Sequence, residues 1–107
     1  MNNKIRILVA NSNISTKENI IKSIKDLEYV DIVGTASDGN DTINKMIELR
    51  PEMVFSQYSY NDITGLELIK NAREKLQEDF PVFTTIGEIP NSELIEAMRI
   101  SGNRING

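Results

Sequence analysis

Four times along this chain a short apolar, β-prone run is followed by an amphipathic run of helical period, and the links between them are short. No other feature restricts the fold as much. Strand–helix–strand units with short links build parallel sheets covered by helices on both faces, with right-handed crossovers. Four such units are too few to close a barrel. The sequence therefore predicts an α/β protein with an open, doubly wound parallel sheet. The 107 residues make one domain, residues 1–107. A domain of that size buries roughly 60–70% of the surface its unfolded chain exposes.

The first run, Lys4 to Ala10, begins as alternation and ends as continuous apolar sequence, the pattern of a strand buried on both faces. Asn11-Ser12-Asn13 breaks it. Ser15 and Glu18 fit a capping box, opening a helix with Ile20, Ile21, Ile24 and Leu27 at helical spacing. Val30 to Thr35 is a second, β-branched strand. Ser37-Asp38-Gly39-Asn40 is a turn and helix entry, and Ile43, Met46 and Ile47 form the stripe of a second helix. That helix must end by Arg50, because Pro51 follows.

The stretch from Pro51 to Leu66 organises the rest. Met53 to Gln57 reads as a third strand, a polar loop follows, and Gly65 opens a helix with Leu66, Ile69, Ala72 and Leu76 on one face. Pro81 to Ile86 is a fourth strand. Asn91 or Ser92 caps a fourth helix with Leu94, Ile95 and Met98 inward, and Ser101 to Gly107 reads as a turn that leads nowhere. In open α/β sheets ligands and chemistry sit at the carboxyl ends of the strands. Gln57 and the loop after it occupy that place.

Composition narrows the function. Cysteine is absent, which leaves no disulfide framework and no thiolate metal site. Histidine is absent too, which removes the commonest general base and metal ligand. The net charge is −4 with Lys and Arg scattered, whereas phosphate contacts need a basic patch. Direct nucleic-acid contact by this segment is not expected. Neither a membrane-length apolar run nor a signal-peptide pattern is present, so the expected location is the cytoplasm. No Gly-rich phosphate loop or nucleophile–base pair appears, and an enzyme is the least supported class.

Several segments stand in a telling order: Ile5 to Ala10 followed by three small polar residues, Val30 to Gly39, Leu49 to Val54, Thr64 to Ile69, Pro81-Val82 and Ala97-Met98. Together they resemble the receiver domains of bacterial response regulators, the CheY-like family. The resemblance runs without gaps from Lys4 to about Ala97. It implies a flavodoxin-like sheet of strand order 2-1-3-4-5. It also implies that the final strand–helix unit is incomplete, with the chain truncated before the fifth strand.

The family's working residues do not carry over. Two acidic residues after the first strand hold Mg²⁺ in receivers; here those positions are Asn11 and Ser12. The phosphoaccepting aspartate that ends the third strand corresponds to Gln57. The Ser or Thr that ends the fourth strand corresponds to Ile86, with Thr85 one place away. The lysine of the fifth strand would fall just past Gly107. A glutamine amide is far too weak a nucleophile to form an acyl phosphate, and Mg²⁺ favours charged oxygen ligands. No cofactor is expected, and Mg²⁺ binding is not expected.

The resemblance thus implies a degenerate, pseudo-receiver domain. The expected function is a phosphorylation-independent signalling module at the N-terminal end of a longer response regulator. It would act by contact with a protein partner or an attached output domain, typically for transcription, with homodimerisation as a further mode. Ser15 to Ile20 with Glu28 to Gly39 also resemble the receiver-like domains of Tad-type pilus-assembly ATPases, where the domain localises or dimerises the ATPase. A small-molecule sensor at Asn11, Ser12 and Gln57 is a third reading, against the plainer one of turn and cap residues. Tyr58 and Tyr60 are candidate partner contacts, against packing over the first helix. A missing fifth strand would leave the fourth with an open edge, from which self-association is expected.

Overall fold

The computed structural model describes residues 3–106. One parallel sheet, ordered β2-β1-β3-β4-β5, contains β1 (Ile5–Ala10), β2 (Val30–Ala36), β3 (Met53–Gln57), β4 (Val82–Ile86) and β5 (Ile105–Asn106). The connections are α1 (Ile14–Ile24), α2 (Gly39–Leu49), α3 (Gly65–Leu76) and α4 (Asn91–Ser101), with a 3-10 turn at Gln77–Asp79. This is the flavodoxin-like order that the resemblance implies.

The two faces of β1 divide the core. Ile7 and Val9, with Val30, pack under Ile20, Ile21 and Ile24 of α1. Leu8 and Ala10 face the opposite way, into the larger cluster with Ile43 and Met46 of α2, Leu68, Ile69, Ala72 and Leu76 of α3, and Ala97 of α4. Burial on both sides is why the end of β1 reads as continuous apolar sequence.

Several expectations are corrected. The chain does not stop before the fifth strand: Ile105 and Asn106 pair with Phe83 and Thr84, and Ile105 is buried in the main core. The edge of β4 is therefore partly closed, which removes part of the ground for self-association. Gly107, the end of the stretch read as a mere turn, lies outside the described residues. The cap of α1 is Asn13, not Ser15. The Asn11 side chain accepts from the Asn13 backbone (2.9 Å), and that of Asn13 accepts from Thr16 (2.9 Å). Asn caps as well as Ser, and the earlier one takes the role. Leu27 falls beyond the end of α1 and is exposed.

In α4 the buried line runs through Ala97 and Ser101, with Leu94 and Ile100 beside it. At 100° per residue Ile95 sits opposite that line, and it is 73% exposed rather than inward. Neither Asn91 nor Ser92 caps this helix. The N-cap position is Pro90, without a side-chain hydrogen bond.

The end of α3 holds a strained residue. Gln77 adopts φ 53° and ψ −121°, a region that non-glycine residues rarely occupy. Such a conformation costs on the order of 1–3 kcal/mol, and glycine gives back part of the relief through its freer unfolded state. Gln77→Gly should therefore stabilise the domain by about 0.5–1 kcal/mol. A urea midpoint that stays fixed or falls would count against the strain.

Candidate functional site

The chain leaves β1 toward one edge of the sheet and leaves β3 toward the other. The crevice outside the carboxyl ends of these two neighbouring strands is where open α/β sheets place their ligands. Asn11 and Ser12 follow β1 there, Gln57 ends β3, and Ile86 is the register partner of Gln57 on β4. The structure thus gathers the positions that the resemblance singles out.

Their polar groups face one another. The Gln57 side-chain oxygen accepts from the Ser12 backbone N–H (2.7 Å) and from the Ser12 hydroxyl (2.9 Å). The Gln57 amide nitrogen donates to the Ser59 carbonyl (2.7 Å). The Asn11 side-chain oxygen is engaged by the Asn13 backbone, and Asn11 is buried. No carboxylate stands among these groups. Among the described residues no cluster of three or more His, Cys, Asp or Glu could hold a metal ion. Neutral dipoles already engaged with one another do not fit Mg²⁺, which exchanges its waters for charged oxygens.

The neighbouring strand offers no replacement. Thr85 lies on the buried side of β4 with Phe83, is 5% exposed, and carries a hydroxyl without a hydrogen-bond partner. Ile86 turns to the other side and is partly exposed.

The loop between β3 and α3 is fastened throughout. The Ser59 hydroxyl accepts from the Gly65 backbone (2.9 Å). Asp62 accepts from the Gly39 and Asn40 backbones with its two oxygens, both at 2.9 Å. Those two amides hold the Asp62 carboxyl below its ordinary pKa. Asp62 therefore helps cap α2 from 22 and 23 residues away. Glycine 65 sits where a Cβ would collide with the Tyr58 ring.

Tyr58 and Tyr60, expected as surface anchors, are each only 7% exposed. Nor do they pack over α1: both belong to the core on the opposite face, with α2, α3 and α4. The Tyr60 hydroxyl meets the Ser56 hydroxyl at 2.7 Å, and Ser56 also donates to the Gln57 carbonyl (2.7 Å). The Tyr58 hydroxyl donates to Glu93 of α4 (2.9 Å). Burial above all, then the bond to Glu93, raises the Tyr58 phenol pKa, so the group remains a donor. Neither Glu93 as a partner of this loop nor Asp62 as its tie to α2 is legible in the sequence, because each contact joins residues distant in sequence.

The sheet order, the crevice and its fastened loop define a receiver-type α/β domain. No family model matches the sequence. The chain is similar to the response regulator domain of CheB from Thermotoga maritima, with a TM-score of 0.78 and 24% identity over 92% of this chain and 73% of that one. It is 25% identical over 87 residues to a protein-glutamate methylesterase/protein-glutamine glutaminase of Clostridium acetobutylicum, across 79% of this chain and 25% of that protein. It is 30% identical over 77 residues to response regulator GacA of Pseudomonas viridiflava, across 72% of this chain and 34% of that protein. The chain thus spans a quarter to a third of these two relatives. Fold and relatives together support a CheY-like receiver domain, one whose crevice holds Asn11, Ser12 and Gln57 in place of carboxylates. No helix among the described residues is long and apolar enough to cross a membrane.

Proposed function

We propose that this domain is a phosphorylation-independent receiver module. It is non-catalytic and cytoplasmic, and it acts by protein–protein contact on a partner, on an attached output domain for transcription, or on a second copy. The observation that supports this reading is the engagement of Gln57. Its amide oxygen takes both Ser12 donors and its nitrogen binds the Ser59 carbonyl. An amide so placed holds the loop in one arrangement without metal or phosphoryl group, and it lacks the carboxylate that an acyl phosphate requires. The resemblance to a response regulator over most of this chain supports output by contact.

Incubation with acetyl phosphate and Mg²⁺ should add no phosphoryl group. Millimolar Mg²⁺ should leave Tm nearly unchanged, since a ligand stabilises only by what it binds. The triple variant Asn11→Asp, Ser12→Asp, Gln57→Asp should be less stable without Mg²⁺, through like-charge repulsion, and should gain a Mg²⁺-dependent Tm. Intact-mass spectrometry and thermal melts check all three. A phosphoryl adduct within residues 56–60 of the unmodified protein would refute the reading.

A further inference from the structure

The opposite end of the sheet, where the strands begin, carries a concavity of its own. A cavity of about 410 Å³ opens there among the links that lead into β3, β4 and β5. Small-molecule sites fall in this range of volume. Its floor is apolar: Pro51, Phe80 and Pro81 are buried, and Val82 is half-exposed beside them. Its rim is charged, with Arg50 and Arg104 set against Glu52, Glu78 and Asp79.

The rim charges are not equivalent. Arg50 donates to Asp79 (3.0 Å) and to the Ile47 carbonyl (3.1 Å), so Arg50 and Asp79 neutralise each other. Glu52 accepts from the Arg6 backbone (3.1 Å). The Arg6 guanidinium donates to the Leu49 and Arg50 carbonyls (2.6 and 2.8 Å), which pins the link between α2 and β3. Arg104 is held on one side only. Its Nη1 donates to the carbonyls of Glu78 (2.9 Å) and Phe80 (3.2 Å), while Nε and Nη2 have no partner among the described residues. Those two nitrogens form one edge of the guanidinium fork, spaced to take both oxygens of a carboxylate. Beside it, the Glu78 carboxylate makes no ion pair among the described residues.

We propose that this cavity binds a free α-amino acid with an apolar side chain. The carboxylate sits on the Nε–Nη2 edge of Arg104, the ammonium lies toward Glu78, and the side chain covers Pro51, Phe80, Pro81 and Val82. An amino acid carries these three groups on one carbon, and the cavity offers their complements side by side. A phosphate or nucleotide fits poorly, because three carboxylates surround the one open guanidinium edge. A bare amine leaves that edge unused. No residue of the crevice at Gln57 takes part, so this site and the phosphorylation-independent reading can fail separately.

The test is an NMR titration of the isotope-labelled 107-residue chain at low salt, read amide by amide. L-Leucine and L-phenylalanine at millimolar concentration should give saturating shifts centred on Glu78 to Val82 and Arg104. Isovalerate lacks the ammonium and isoamylamine lacks the carboxylate; both should bind more weakly than leucine, the amine weakest. Arg104→Lys keeps the charge and loses the fork, and should weaken leucine binding about tenfold. Glu78→Gln, at an exposed side chain, should weaken leucine about twofold to fivefold and leave isovalerate unchanged. If Arg104→Lys does not fold, Glu78→Gln and the ligand series still decide. No saturating shift with either amino acid would overturn the site. So would shifts centred on Asn11, Ser12 and Gln57, isovalerate binding as tightly as leucine, or leucine binding that neither substitution weakens.

Discussion

Phe83→Ala is expected to cost about 3–5 kcal/mol, the range for removing a fully buried aromatic side chain. Phe83 is 0% exposed. Its strand neighbours in register are Val54 and Ile105, and its ring stacks on Phe80 with centroids 6.2 Å apart. A domain of this length has roughly 5–15 kcal/mol in total, so the loss is about a fifth or more of its stability and, where the total is lowest, unfolds it. Val82, the preceding residue, is 42% exposed on the other side of the same strand. Val82→Ala should stay within about 0.5–1 kcal/mol. Urea midpoints at constant slope measure both. If Phe83→Ala does not fold, Phe83→Leu gives a smaller loss that can still be compared. Equal costs for Phe83 and Val82 would mean that the faces of β4 are assigned the wrong way round.

Gly65→Ala should lower stability by about 1–3 kcal/mol, the usual cost of overpacking. Helix propensity alone predicts the opposite, since alanine is favoured over glycine by up to about 1 kcal/mol in a helix. Packing wins here because the new methyl would lie 2.4–2.5 Å from atoms of the Tyr58 ring. That ring cannot easily withdraw: it is buried and its hydroxyl is tied to Glu93. The cause is separable by a double-mutant cycle. In a Tyr58→Leu background, Gly65→Ala should cost much less, giving a coupling of about 0.5–3 kcal/mol between the two sites. A stabilised Gly65→Ala protein would show that the ring moves aside freely.

The glycine illustrates how far the sequence reaches. Its place at the start of α3 followed from the amphipathic run after it, but its reason, the ring of Tyr58, is a tertiary contact. The same division runs through the fold. Met53 to Gln57 emerges with the bounds read from the sequence, and α2 ends just before Arg50 as Pro51 requires. Those signals are local and strong. Cap and edge were read less well, because competing local choices lie within a fraction of a kcal/mol of each other: Asn13 displaces Ser15, and Ile105-Asn106 form a strand too short to show a period.

By itself the sequence determined the alternation, hence the sheet class, and the absence of a carboxylate at Asn11, Ser12 and Gln57. Both follow from residue type and order alone. Only the tertiary structure decided that Gln57 is bound by Ser12 and Ser59, that Tyr58 and Tyr60 are buried rather than offered to a partner, and that Glu93 and Asp62 fasten the crevice loop. Apart from the Gln57–Ser59 contact, which is local, the bonds join different elements across the ends of the strands. Side-chain hydrogen bonds between residues 22 to 45 apart leave no periodicity in a sequence. They exist only once the sheet has brought its carboxyl ends together.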